Sequence, residues 1–315
     1  MNANVKVGMN AKLEPQSGEV TKSRIVEFAR AASTEISTHD EELLPQLVDK
    51  LPAGMTVYVA HTPKASLDDV VRLATKAQSL GFRASPHIVA RRIPNEQALR
   101  AALDRLTKAG VEQVLLVAGD LSQPLKYTST LEVIDTGLVE AAGIKYAGIA
   151  GHPEGHKQVS DGVLMAALRH KQAWGERTGV KVHIATQFSF DPEGSCEWAQ
   201  GLAKQGITLP VNVGVAGPTP LQKLIKFAVA CGVGASLGSL MKNMSAMTNL
   251  ARQKTGPDEM LVGFLRGCAA YPQARIVRPH FYAFGGVIAT ANWMRAVMDG
   301  AFELQPDSDK FLMNS

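Results

Sequence analysis

Apolar residues along this chain fall into two alternating patterns. Some runs are short and apolar almost throughout, and others are longer with an apolar residue every third or fourth position. The stretch Gln113–Ala118 (Gln-Val-Leu-Leu-Val-Ala) belongs to the first kind. It is rich in Val and Leu and lacks polar alternation, as a strand buried on both faces does. Seven more runs read as strands: Ala32–Ser37, Met55–His61, Arg83–Val89, Ile144–Ala150, Val182–Phe190, Ile207–Val215 and Arg278–Phe284.

The stretches between them read as amphipathic helices. Leu67–Leu80 sets Leu67, Val70, Val71, Leu73, Ala74, Ala77 and Leu80 at a period of about 3.6. Asn95–Ala109 repeats the pattern with Ala98, Leu99, Ala102, Leu103 and Leu106, and Leu131–Ala142, Val163–Thr178, Cys196–Gln205 and Leu221–Cys231 follow. Gly81, Gly110, Gly143, Gly179 and Gly206 stand where a helix gives way to a strand, the place of a C-cap glycine.

A strand then a helix, repeated about eight times, predicts an α/β fold of the (β/α)8 TIM-barrel type. A doubly wound open sheet is the other arrangement with this pattern. The gap between strands seven and eight holds two further helix-like stretches, the Met-rich Leu237–Gln253 and Asp258–Ala270, read as extra helices. Residues 1–30 read as an N-terminal arm and 31–315 as a single barrel domain.

Composition narrows the function. The chain has 315 residues, 45% hydrophobic and 20% charged, as in an ordinary globular protein. Its 33 basic and 29 acidic residues are interspersed, so the net charge of +4 makes no stripe for nucleic acid. No apolar run is long enough to span a membrane, and the polar start does not resemble a signal peptide. Cys196, Cys231 and Cys268 are far apart in sequence and form no zinc spacing, which suits a reducing cytoplasm. A homo-oligomer is compatible with this composition.

In a barrel, ligands meet the carboxyl ends of the strands. Those ends carry Glu35, His61, Thr62, His87, Asp120, His152, Glu154, His156, Gln187, Asn212, His280 and Tyr282. Polar groups inside apolar strands are costly unless satisfied or used. Three other motifs do not suit their context. Gly234-Ala-Ser-Leu-Gly238 matches a nucleophile elbow, but a helix and not a strand precedes it. No glycine-rich phosphate loop is present. His152 and His156 are separated by Pro153 and have no carboxylate cluster, so no metal site is expected.

These residues, in this order, resemble the methylenetetrahydrofolate reductase family. The matching segments are Ser33-Thr-Glu35-Ile-Ser, Pro86-His87, Val117-Ala-Gly119-Asp120, Ala150-Gly-His152-Pro-Glu-Gly-His156, Thr186-Gln187-Phe-Ser-Phe-Asp191 and His280-Phe-Tyr282. The resemblance implies a flavin-dependent barrel that reduces 5,10-methylenetetrahydrofolate to 5-methyltetrahydrofolate with hydride from NADH or NADPH. Glu35 matches the acid that protonates N10 of the folate, so its pKa must be raised by a dry site. Asp120 matches the aspartate between flavin and pterin, and Gln187 matches an amide that bonds the pterin. Leu221 stands where a phenylalanine is expected, and Tyr282 joins it on the substrate side. Thr62, His87, Gly119, Ala150, His152, His156 and Lys171 fall on the FAD side.

The sequence also departs from the family. Ala118 replaces the arginine that contacts the FAD phosphates, and His152 replaces a tyrosine. Leu164 and Ala167 stand where polar residues hold FAD. Hydride transfer through FAD and direct transfer from the nicotinamide therefore both remain open. So do a folate-dependent methyl-transfer or demethylation enzyme and a non-catalytic folate- or flavin-binding subunit.

Overall fold

The structure is a computed structural model and describes residues 20–231, 233, 254–255, 257–305 and 308–314. Leu237–Gln253 and the Gly234–Gly238 motif lie outside the described residues. Eight parallel strands close a barrel: β1 (Ser33–Ile36), β2 (Thr56–Val59), β3 (Arg83–Val89), β4 (Gln113–Val117), β5 (Tyr146–Gly151), β6 (Lys181–Phe188), β7 (Val211–Ala216) and β8 (Ile276–Tyr282). β1 pairs with β2 on one side and β8 on the other, which seals the ring. The TIM barrel is therefore the fold, and the open sheet is not.

Side chains on a strand alternate between faces, so each strand serves two environments. Val114 and Leu116 of β4 point outward into the main core, which also takes Val57, Val59, Ile149 and Ile184 from other strands. The helices close over them with Leu73, Leu99, Leu103 and Leu106, all fully buried. Leu115 and Val117 of β4 point inward and join Tyr58 and Ala185 in a separate cluster.

The helices begin and end where the sequence indicates. At the start of Leu67–Ser79, Ser66 Oγ accepts from Asp69 N at 3.1 Å, and Ser66 N donates to Asp69 Oδ2 at 3.0 Å. This is a capping box. The glycines at positions 81, 110, 143, 179 and 206 all have φ between 80° and 90°, as the C-cap reading requires.

Three elements differ from expectation. Residues 22–30, assigned to the arm, form a helix that Thr21 caps, with Ile25, Phe28 and Ala29 buried in the main core. The stretch 131–142 splits at Gly137 (φ 73°) into Thr130–Ile134 and Leu138–Ala141. A helix Val287–Met298 follows β8. The expected extra helix Asp258–Ala270 is present and packs on Pro192–Lys204. Among the described residues, no helix is long and apolar enough to cross a membrane.

Candidate functional site

A cavity of about 1110 Å³ opens at the carboxyl ends of the strands. Glu35 from β1, Thr62 beyond β2, His87 from β3, and Gly119 and Asp120 beyond β4 line it. Ala150, His152 and His156 reach it from β5 and the loop after it, Gln187 from β6 and Tyr282 from β8. The fold thus brings most of the sequence-predicted site residues to one place.

Glu35 lies deep in this cavity, its side chain 21% exposed, with Oε2 3.6 Å from His87 Nε2. That separation is too long for a hydrogen bond. Burial, and then the nearby Asp40 charge, raise its carboxyl to a pKa of about 7. His87 cannot counter this as a cation, because burial, and then His61, push its own pKa down to about 3. Its Nε2 is buried with no hydrogen-bond partner. The pair is therefore a carboxylic acid beside a neutral imidazole near neutral pH. Asp40 is itself held by Ser37, whose N and Oγ donate to Oδ2 at 2.8 and 2.9 Å.

Asp120 owes its position to the glycine before it. Gly119 has φ 89°, and a Cβ there would lie 2.4 Å from Val89 Cγ1. Only glycine lets the chain leave β4 this close to β3. The Asp120 side chain is 78% exposed, and Arg92 Nη2 donates to its Oδ1 at 3.1 Å. Arg92 is only 12% exposed and also donates from Nη1 to Pro63 O at 3.2 Å. Its neighbour Arg91 donates to Thr128 O at 2.9 Å and Leu121 O at 3.2 Å. The guanidinium missing at Ala118 thus has neighbours on the adjacent strand end, and two nitrogens of each donate to carbonyls or to Asp120.

The pairing of β6 with β7 shifts register between Ala185 and Phe188, an irregularity of the kind that re-aims side chains. Phe188 N donates to Gln187 Oε1 at 3.1 Å, which leaves the amide NH2 for a ligand. Tyr282 donates its hydroxyl to Thr186 O at 2.8 Å.

Four predicted residues stand elsewhere: Asn212, buried near the amino end of β7, His280, buried on β8, and Leu221 and Lys171. Leu221 is buried at the head of the helix Leu221–Cys231 and does not line the cavity. At about 100° per residue, this helix turns Lys223 and Phe227 to the cavity instead. Lys171 sits in the helix Asp161–Thr178, buried away from the cavity, where burial lowers its pKa to about 8. Its charge is felt by His152, whose pKa falls to about 4 through burial, then His156, then Lys171.

Sequence reasoning picks out His280 but misses the Tyr58–His183 pair in the layer beneath the cavity. Tyr58 on β2 and His183 on β6 meet across the barrel, hydroxyl to Nε2, at 2.8 Å. Ser33 Oγ bonds His280 Nδ1 at 2.9 Å, and the Tyr58 and His280 rings lie 4.5 Å apart. Burial holds His183 and His280 near pKa 3, so both are neutral at ordinary pH. A histidine flanked by apolar residues, as His183 is in Lys181–Ala185, is the sequence signal for that pair.

The family model for methylenetetrahydrofolate reductase matches residues 37–280. A structure described as an uncharacterized protein from Clostridium thermocellum that binds two copies of 5-methyl-5,6,7,8-tetrahydrofolic acid superposes with a TM-score of 0.58 at 11% identity. The match covers 88% of this chain and 98% of that one, a likeness of fold. Dihydropteroate synthase from Thermus thermophilus aligns at 15% identity and a TM-score of 0.44, over 85% of this chain and 91% of that one.

Proposed function

This chain belongs to the methylenetetrahydrofolate reductase family, and on that premise we propose that it reduces 5,10-methylenetetrahydrofolate to 5-methyltetrahydrofolate, with NADH or NADPH as hydride donor. The observation that carries the reading is Glu35, a carboxylic acid with pKa near 7 in the same cavity as Asp120 and Gln187.

Glu35 gives its proton to N10 of the folate, and the five-membered ring opens to an iminium at N5. Hydride adds to the iminium carbon, leaving a methyl group. The Glu35 carboxylate then takes a proton from solvent, so one NAD(P)H and one proton are consumed per turnover. Its raised pKa keeps a useful share of the acid form near neutral pH. Asp120 accepts from the donor edge of the pterin through the oxygen that Arg92 leaves open. The Gln187 amide bonds the same ring. The C. thermocellum protein, on a similar fold, binds the proposed product, which is consistent with a folate in this cavity.

The family resemblance also implies FAD, which would relay hydride from the nicotinamide when bound. The residues for its flavin end, His87, Gly119, Ala150 and His156, line the cavity. Those for its diphosphate do not fit: Ala118 carries no charge, Arg91 and Arg92 are engaged, and Lys171 is off the cavity. Each absent charge-assisted bond costs about 1.5–3 kcal/mol. No step is therefore assigned to a flavin.

The test is NAD(P)H oxidation dependent on methylenetetrahydrofolate, run with and without added FAD, together with the visible spectrum of the purified protein. Folate-dependent oxidation that Glu35→Gln abolishes supports the proposal. Binding of 5-methyltetrahydrofolate with no such oxidation would replace it with the methyl-transfer reading.

A further inference from the structure

Two helices on the outside of the barrel approach each other closely enough to bring two cysteines together. They are Pro192–Lys204, which follows β6, and Asp258–Ala270, which precedes β8. Gly263 and Gly267, at i and i+4 on one face of the second helix, meet Pro192 and Cys196, spaced likewise on the first. A Cβ at Gly263 would lie 2.4 Å from Pro192 Cγ, and one at Gly267 would lie 2.4 Å from Cys196 Sγ. Only glycine leaves room for so close a crossing. The Cys196 sulfur therefore rests against the backbone of the residue that precedes Cys268.

Cys196 is buried and Cys268 half-buried, and neither lines the cavity. The Cys196 S–H donates to the Cys268 sulfur. That bond, and then burial, push the Cys196 thiol up. The same bond pulls the Cys268 thiol below the ordinary cysteine value against the effect of burial, and Arg24 adds to the fall. The more accessible sulfur is thus the one that more readily becomes a thiolate, while its buried partner keeps its proton. A thiolate is the nucleophile in sulfur oxidation, and a thiol within reach of it resolves the product.

We propose that Cys196 and Cys268 are a redox-responsive pair, closed to a disulfide by a peroxide and reopened by a dithiol. The Cys268 sulfur attacks hydrogen peroxide: an S–O bond forms, the O–O bond breaks, and the departing hydroxide takes the proton that Cys268 sheds. The Cys196 sulfur then attacks the Cys268 sulfur: an S–S bond forms, the S–O bond breaks, and hydroxide leaves with the Cys196 proton as water. The two sulfurs give up two electrons, and the peroxide is reduced to two waters. A dithiol reverses the bond by thiol–disulfide exchange and returns the two electrons. The disulfide staples one helix to the other across a long loop of chain, which restricts the unfolded state and so raises stability. In a reducing compartment the pair stays open until an oxidant arrives. The inference does not rest on the folate reading, and its test uses no folate.

The experiment treats the full chain with hydrogen peroxide and maps its peptides without reductant, before and after dithiothreitol. Two of the three thiols should be lost, with peptides joined through Cys196 and Cys268. The thermal unfolding midpoint should rise by roughly 5 °C. Dithiothreitol should reverse both changes. Cys231→Ser should respond in the same way, because it keeps the pair. Cys196→Ser should stop at a sulfenic acid on Cys268, trapped by dimedone, and Cys268→Ser should form no disulfide with Cys196. The proposal is overturned if the joined peptides carry Cys231, if Cys268 accumulates sulfinic acid in the unaltered protein in place of the bond, or if all three thiols survive the peroxide. A bond that leaves the midpoint unchanged overturns the stapling. The mapping is made on the unaltered chain, so it decides the matter even where a serine variant fails to fold.

Discussion

The two faces of the barrel wall are built from the same strands to opposite specifications. Outward positions such as Val57, Val114, Leu116, Ile149 and Ile184 meet the helices in one continuous aliphatic core. Inward positions carry Ser33, Glu35, Tyr58, Ser85, His87, Gln113, His183, Arg278 and His280, most of them buried. Barrel interiors are ordinarily packed with Val, Ile and Leu. A polar interior costs stability unless its groups are paired, and Ser85 Oγ, His87 Nε2, His183 Nδ1 and Arg278 Nε are buried without a partner. The outer face holds the fold together, while the inner face gives up some stability to keep an acid and several imidazoles uncharged beneath a ligand cavity.

Substitutions on the two faces should therefore separate activity from stability. The largest effect is expected from Glu35→Gln, which should lower kcat for folate reduction by about 10²–10⁴-fold while leaving the urea unfolding midpoint equal or higher. A lower midpoint would mean that Glu35 supports the fold. Leu106→Ala on the outer face should do the reverse. It should cost about 2–5 kcal/mol of stability by denaturant titration and leave the kcat of the folded enzyme intact.

The pH dependence of stability sharpens the comparison. Glu35 has a folded pKa of about 7, above its ordinary value of 4.5, so the folded state holds more protons between those values. Stability from this group is full below 4.5 and declines as pH rises through 7. The three buried histidines act in the opposite sense. Their folded pKa values near 3 lie below 6.5, so the folded state holds fewer protons and stability falls as pH drops from 6.5 toward 3. The two windows overlap between pH 4.5 and 6.5, where three histidines outweigh one carboxyl, so urea titrations should show stability rising over that range, and Glu35→Gln should make the rise steeper. The smallest expected effect is from Arg92→Gln. Freeing the Asp120 carboxylate should weaken 5-methyltetrahydrofolate binding by about tenfold or less, and Arg92→Lys should recover part of it.

The same contrast explains which features are legible in the sequence. Strands buried on both faces leave an unbroken apolar run, and helices ending at glycine leave a mark, so the barrel can be read from the order of residues alone. Glu35, Asp120 and Gln187 are among the polar residues legible at strand ends, and the family resemblance is what singles them out from the others there. Contacts between elements far apart in sequence cannot. The Tyr58–His183 bond spans the barrel, and the Arg92–Asp120 pair needs β3 beside β4. Lys223 and Phe227 reach the cavity only because their helix lies along the rim. Lys171 resembles a ligand for phosphate because a sequence gives its charge but not the side of the helix it faces. The helix Lys22–Arg30 escapes notice because a short apolar set at Ile25, Phe28 and Ala29 follows a long polar start.

The proposed proton transfer needs Glu35 in its acid form, and the pH dependence of kcat for folate-dependent NAD(P)H oxidation reads that form directly. The rate should fall as pH rises through about 7, as the acid form is lost. A rate that stays level through that range, or that survives in Glu35→Gln, would contradict it.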